Sequence, residues 1–321
     1  MYDVKREKVM LCMTNIHISA GVKMNILQYE AITKTLECGT ISKAAEALGY
    51  SQSGLSRMIF NLEEEMGTRI IERDRNGVRL TPEGEILMPY IRNVISAQRN
   101  LDQAVGKIKG RQLGLIRVGT FNSASAQWLP GMIKEFTDTY PDVRFELIHG
   151  TDEETRKLTE DGRVDMTFTD YSNRGNVLIE EFLMRDPIVC IFSSKDPKAS
   201  LNSISLKTLE ELPYVALNEG VDDEITRILT INNVNLDPRF IESDDHAVVA
   251  MVEQGLGTSL MSEMMLQGFE ADIATVPLDP PAYRKIGLAY RDNCSLAAAA
   301  FMTHIRNWIR SHYPEDNLIE E

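Results

Sequence analysis

The chain has 321 residues, more than one hydrophobic core usually organises, so two or three domains are expected. A formal net charge of −14 looks wrong for a nucleic-acid binder until it is split by position: residues 1–23 carry +2, residues 24–110 carry 0 and residues 111–321 carry −16. No run is apolar for the length of a membrane span, and Cys12, Cys38, Cys190 and Cys294 form no CxxC pair and no cluster with histidine, which argues against a transmembrane helix, a zinc site and a disulfide framework.

Residues 9–20 are interrupted by Thr14, Asn15 and His17, a poor secretory core, so a cytoplasmic location is expected. Helical periodicity begins at Met24, and residues 1–23 read as a disordered arm or, better, as the product of an early start codon. Over 24–37, Ile26, Tyr29, Ile32 and Leu36 share a helical face, and Gly39 supplies a stop. Thr40 or Ser42 can cap a second short helix in which Ile41, Ala44, Ala45 and Leu48 are spaced to pack on the first. After a turn at Gly49 and Tyr50, Ser51 caps a third helix whose Leu55, Ile59, Leu62 and Met66 form a core stripe. The opposite face carries Gln52, Ser53, Ser56 and Arg57, short polar groups and a guanidinium able to meet base edges and phosphates.

Arg69, Arg73, Arg75 and Arg79 follow on a segment in which Asn76-Gly77 signals a hairpin, giving a basic two-stranded wing whose charge is tempered by Glu72 and Asp74. A single amphipathic helix with an arginine is usually an ordinary solvated helix; the combination is far more specific. The run Gly39-Thr40-Ile41-Ser42-Lys43-Ala44-Ala45-Glu46-Ala47-Leu48, then Ser51-Gln52-Ser53-Gly54-Leu55-Ser56-Arg57 and Leu62-Glu63-Glu64-Glu65-Met66-Gly67, resembles the winged-helix domain of LysR-type transcriptional regulators, and residues 69–85 extend the match. The resemblance is specific over residues 24–110 and looser to about residue 310. It implies a regulator of double-stranded DNA in which Gln52, Ser53, Ser56 and Arg57 face the major groove while Arg73, Arg75 and Arg79 approach the backbone. Two positions depart from the family. Ser53 and Gly54 stand where proline and alanine are common, so the start of the recognition helix is expected to be looser. Phe60 replaces a frequent basic residue and reads equally as a contact to a thymine methyl or as a partly buried packing residue.

Thr81 and Pro82 offer an N-cap and a first-turn proline to a long helix in which Leu87, Tyr90, Val94, Ala97, Leu101, Ala104 and Ile108 alternate steps of three and four. Such a narrow stripe needs a partner, either a second copy or the chain's own C-terminal domain; the resemblance implies the former, a homodimer, with a homotetramer as the larger alternative. Pro89 should bend this helix near its start.

From Leu115 the pattern turns to α/β, with strands at 115–119, 143–147 and 164–168 and helices at 125–139 and 153–161, implying a parallel sheet. Strands at 188–193, 214–217, 240–242 and 258–261 supply a second lobe. The strand at 286–290 and the helix at 296–310 resemble family elements that rejoin the first. The expected fold is α/β with an N-terminal winged helix-turn-helix (24–81), a long linker helix (82–112) and a two-lobed, periplasmic-binding-protein-like effector domain (113–321), divided into lobe I (113–185 and 286–312) and lobe II (186–285).

Ligands on such sheets bind outside the carboxyl ends of the strands. Those loops hold Thr120, Phe121, Asn122, Ser123, Ser125, Thr151, Thr169 and Asp170 in the first lobe and Asn218, Glu219 and His246 in the second, a set suited to a small-molecule effector; for Ser125 taken alone, helix capping is the better reading. Asp170, Glu219, Asp222, Asp223, Asp244 and Asp245 make the loops acidic, either a solvated rim or a bias toward a neutral or cationic effector. GxSxG, HExxH, a Walker loop and a complete GxGxxG are all missing, and Gly255-Leu256-Gly257 reads as a helix terminator. His17, His149, His246, His304 and His312 lack metal-ligand spacing. Neither catalysis nor a metal or cofactor is expected; the expected partners are DNA, an effector, a second copy and RNA polymerase. The alternative is a solute-binding or redox-responsive α/β protein with an incidental helical domain, but Cys190 and Cys294 have no activating basic cluster.

Overall fold

Three helices open the chain because each carries its own start and stop. α1 (Ile26–Cys38) is closed by a capping box between Asn25 and Gln28, α2 (Ile41–Leu48) is capped by Thr40, and α3 (Gln52–Met66) by Ser51, whose Oγ accepts the Gly54 N–H at 3.1 Å. Each ends on a glycine, Gly39, Gly49 or Gly67, with φ near +70°, where a side chain is disfavoured. Ala31, Ile32, Ala44, Ala45, Leu55, Ile59 and Leu62 form the core between them. α3 is regular from Gln52, so Ser53 and Gly54 do not loosen its start. This is the first of two units, divided between Ile95 and Ser96, in a computed structural model that describes residues 25–74, 77–108, 114–171, 177–217, 224–292 and 294–319.

The antiparallel wing, β1 (Ile71–Asp74) and β2 (Gly77–Leu80), is tied to the helices from two sides. Glu63 Oε1 accepts the N–H groups of Ile70 and Ile71 at 2.8 and 3.0 Å, and Val78 N–H donates to the Gly39 carbonyl at 2.9 Å. α4 (Pro82–Ile108) then begins at Thr81, whose Oγ1 accepts the Gly84 N–H at 3.0 Å and donates to the Arg69 carbonyl at 2.7 Å. A Cβ on Gly84 would sit 2.1 Å from the Ile70 carbonyl oxygen, so the absence of a side chain sets how closely α4 meets the wing. α4 continues unbroken through Pro89.

In the second unit, β3 (Leu115–Thr120), α5 (Asn122–Gln127), α6 (Leu129–Thr139), β4 (Arg144–His149), α7 (Asp152–Glu160) and β5 (Met166–Asp170) alternate as the hydrophobic pattern requires. The single helix expected at 125–139 is two, separated at Trp128: Pro130 in the first turn of α6 lacks the N–H that would continue α5, and the indole is wholly buried with its Nε1–H on the Tyr313 hydroxyl at 2.7 Å. The chain goes on through β6 (Ile179–Ser193), β7 (Tyr214–Leu217), α8 (Glu224–Ile231), β8 (Pro238–Glu242), α9 (Asp245–Glu253), β9 (Ser259–Ser262), α10 (Glu263–Leu266), β10 (Ile273–Tyr290) and α11 (Leu296–His312).

The main sheet has the order β4-β3-β5-β10-β6-β9; the three strands expected to form a parallel sheet, β3, β4 and β5, do so, and the full sheet is mixed. β3 is parallel to β4 and β5, whereas β10 runs antiparallel to both β5 and β6, and β9 antiparallel to β6. The cause is that β6 and β10 are single long strands extending from one hydrophobic core to the others. Leu183, Met184, Ile286 and Leu288 join the core around Trp128, Phe168 and Phe301. Farther along β6, Ile188, Cys190 and Phe192 face one core while Val189 and Ile191 face another, the alternation of a strand covered on both sides.

Candidate functional site

On the first unit, the outward face of α3 and the wing form one polar surface. Gln52, Ser53 and Arg57 are exposed and Ser56 is half-buried. Arg73 Nη2–H donates to Ser56 Oγ at 3.1 Å, so wing and helix are joined through two of the expected DNA-contacting residues. Phe60 is 49 % exposed and lies beneath the Arg57 guanidinium, 5.4 Å from ring centroid to Cζ. It is therefore not a core residue; it steadies an arginine that would otherwise be a free four-bond arm. Arg79 pairs with Glu72 across the ladder at 2.7 Å, and both remain exposed. Arg75 lies outside the described residues.

Along α4, Tyr90, Val94, Ala97, Leu101 and Ile108 are exposed, Ile108 to 85 %, and Ala104 is half-buried. Leu87 departs from the expected stripe. It packs into the first unit's core beside Met88, Ile91 and Ile95, and Ile86, 67 % exposed, stands outward in its place. The stripe thus begins one residue earlier than its spacing suggests.

In the second unit, the parallel register of β3, β4 and β5 brings their carboxyl ends to one edge of the sheet. Thr120, buried, receives a hydrogen bond from Ser125 Oγ at 3.2 Å; Ser125 therefore braces the loop and does not cap α5, whose N-terminus has no side-chain cap. Asn122 is exposed and Phe121 half-exposed. Thr151 is the N-cap of α7, in a capping box with Glu154. Thr169 is fully buried, its hydroxyl donating to Asp152 and accepting from Arg156 Nη1 at 3.0 Å, and Asp170 N–H donates to Asp152 Oδ1 at 3.2 Å. His246, exposed in the first turn of α9, lies 4.4 Å from the Phe269 ring. Asn218, Glu219, Asp222 and Asp223 fall outside the described residues. A cavity of about 400 Å³ exists in this unit, but none of these expected effector residues lines it.

Sequence reasoning missed Arg284 and Asp186, paired neighbours on β10 and β6. Arg284 Nε and Nη2 donate to Asp186 Oδ2 at 2.8 and 2.7 Å. Nη2 also donates to Ser123 Oγ at 2.7 Å, and the guanidinium covers the Phe121 ring at 5.2 Å. Asp186 Oδ1 accepts the Met264 N–H at 3.0 Å at the start of α10. A buried ion pair on the two crossing strands thereby joins the loop after β3 to the helix after β9. No local signal marks it, because its partners are strand residues far apart in sequence.

Cys190 is wholly buried against the Thr258 hydroxyl, and burial pushes its thiol up to about 12; burial also raises Cys294. Neither is an activated thiolate, which weighs against the redox-responsive alternative. Among the described residues no group of three or more His, Cys, Asp or Glu could hold a metal ion, and no helix is long and apolar enough to cross a membrane.

Residues 26–85 match the bacterial regulatory helix-turn-helix proteins of the lysR family, and residues 109–310 match the LysR substrate binding domain. The chain is 31 % identical over 284 residues to the uncharacterized HTH-type transcriptional regulator YvbU of Bacillus subtilis, covering 87 % of this chain and 97 % of that protein. It is 24 % identical over 301 residues to the HTH-type transcriptional regulator GltR of the same organism, covering 92 % and 100 %. Full-length OxyR of Pseudomonas aeruginosa, in a variant form, shares the fold with a TM-score of 0.74 at 20 % identity, over 89 % of this chain and 95 % of that one. Full-length CbnR complexed with its target DNA superposes with a TM-score of 0.60 at 18 % identity, over 88 % and 99 %.

Proposed function

Because the chain belongs to the LysR family of DNA-binding transcriptional regulators, we propose that it grips a specific operator as a homodimer and changes that grip when a small molecule occupies its effector domain. The reading assigns residues 24–81 to DNA, 82–112 to pairing of two copies and 113–321 to the effector. Gln52, Ser53, Ser56 and Arg57 enter the major groove, with Arg73, Arg75 and Arg79 on the phosphates and Phe60 holding Arg57 in place. The observation that carries it is the Arg73–Ser56 hydrogen bond, which makes recognition helix and wing a single surface. The protein acts in the cytoplasm by binding alone, without catalysis, cofactor or metal, and engages RNA polymerase from the operator.

Operators are to be selected from genomic fragments and affinities measured by fluorescence anisotropy. Arg57→Ala is expected to weaken operator binding by about 1–3 kcal/mol and to relax preference at one base position. An equal loss on unrelated duplexes would remove Arg57 from base readout.

The effector site is assigned to the strand-end residues Thr120, Phe121, Asn122, Ser123, Ser125, Thr151, Thr169 and Asp170 of the first lobe, together with Asn218, Glu219 and His246 of the second. An occupant that favours one arrangement of the domain shifts the spacing of the two winged units, and only differential affinity for two states can do so. Asn122→Ala is expected to abolish the effector's influence on operator binding while leaving the ligand-free affinity unchanged. A retained response would take Asn122 out of the site.

A further inference from the structure

We propose a second ligand site in the effector unit, at the opposite end of α9 from His246, suited to a small zwitterion of the amino-acid kind with an apolar side chain. α9 spans nine residues, so its last residue, Glu253, stands about 12 Å along the helix axis from Asp245, the neighbour of His246 in its first turn. There the cavity of about 400 Å³ opens among the end of β6, the segment before β7, the end of α9 and the segment before β10. That volume lies within the range of small-molecule sites.

The cavity is a product of local chain geometry. Gly255, at φ +75°, turns the backbone out of α9, and a Cβ on Gly257 would lie 2.7 Å from the Pro213 carbonyl oxygen, so the chain passes directly over the segment before β7. Thr258 N–H donates to that same carbonyl at 2.8 Å and fixes the crossing. The Gly255-Leu256-Gly257 run therefore does more than end a helix: both glycines form part of the cavity wall.

Its chemistry is two-signed. Phe192, Leu212 and Pro213 line it together with five charged residues, Lys195, Asp196, Lys198, Glu253 and Asp272. Glu253 Oε1 accepts the Asp272 N–H at 2.9 Å, and Ser194 Oγ–H donates to Asp272 Oδ1. Each carboxylate is thus oriented through one oxygen, and the other carries no hydrogen bond among the described residues. Lys195 likewise makes no hydrogen bond or ion pair among them, unlike Lys198, which has Asp196 at 3.8 Å. With Asp196 and Lys198 paired to each other, a simple anion entering here meets the carboxylates of Glu253 and Asp272, and a simple cation leaves Lys195 repelled. A zwitterion satisfies both, its ammonium donating to Glu253 or Asp272, its carboxylate accepting from Lys195, and its side chain against Phe192 and Leu212.

The test is calorimetric titration of the full chain with L-leucine, L-methionine and L-phenylalanine, and with N-acetyl-L-leucine and L-leucinamide, which lack one charge each. At least one free amino acid is expected to bind once per chain, and each blocked derivative at least about tenfold more weakly than L-leucine, the energy of one charge-assisted hydrogen bond. Lys195→Glu, at an exposed position, and Glu253→Gln, which keeps the acceptor for Asp272 N–H, should each weaken the same ligand about tenfold, with Asn122→Ala neutral. Binding by none of the three, equal binding of the blocked forms, or loss in Asn122→Ala with retention in Lys195→Glu would each overturn the site. Operator affinity of Lys195→Glu is expected to be unchanged, so failure here is separable from failure of the DNA-binding assignment.

Discussion

A chain carrying Val94→Asp and Leu101→Asp is expected to sediment as a monomer and to lose about 100-fold or more in operator affinity. The stripe of Ile86, Tyr90, Val94, Ala97, Leu101 and Ile108 is uncovered in the single chain, and on a helix whose inner face is already occupied by Met88, Ile91 and Ile95 it has nothing of its own to pack against in the first unit. Covering one large aliphatic side chain is worth about 1.5–3 kcal/mol, and each substitution removes that contribution twice, once from each copy. It also places like charges where two stripes meet. Paired winged units bind two half-sites with an effective concentration that a monomer lacks, a factor of about 10² to 10⁴. Sedimentation velocity and anisotropy on the selected operator measure the two effects. A variant that stays dimeric and binds normally would move the interface off α4.

Arg284→Ala is expected to lower the unfolding free energy of the effector unit by about 3–5 kcal/mol, because it strands a buried carboxylate. Asp186 and Arg284 are 1 % and 8 % exposed at their side chains, so solvent does little to screen the loss. After the substitution Asp186 keeps the Met264 N–H and loses its charge partner, while Ser123 loses its donor. Both tryptophans, Trp128 and Trp308, belong to the large core of this unit, so urea denaturation followed by their fluorescence reports the right transition. Asp186→Leu with Arg284→Met should recover most of the stability, since an apolar pair of similar volume replaces both charges. A loss below about 1 kcal/mol for Arg284→Ala would mean that water reaches Asp186 and the pair is not a buried one.

The pair lies between two irregularities in the β6–β10 ladder, at Pro277/Ala282 and Ile286/Gly287. Such shifts change the local twist and mark the stretch where one core gives way to the next. Ser123, expected from sequence to touch the effector, is nearly closed to solvent and already bound to Arg284. An occupant of the proposed strand-end site would therefore act on a network that already reaches α10.

By itself, the sequence was enough to determine the first three helices, the start of the fourth, the wing and the polar face of α3, because these depend on contacts within a few residues. Thr40, Ser51 and Thr81 bond to backbone groups three residues on, and Gly39, Gly49 and Gly67 stop helices through their own φ angles. The strand-end position of Thr120 and Thr151 was legible for the same reason. Only the tertiary structure decided that Leu87 turns inward and Ile86 outward, since a step pattern of threes and fours does not say which of two adjacent apolar residues meets a core that other elements build. It alone made β6 and β10 continuous: Asp186, Pro187 and Arg284 break the alternation, and their backbone pairs only because each strand finds the other, while Pro280 and Pro281 lie in the irregularity between Pro277 and Ala282. Asp186 and Arg284, 98 residues apart, meet through that register, and no property of either neighbourhood foretells a charge that becomes tolerable only once its partner is buried beside it.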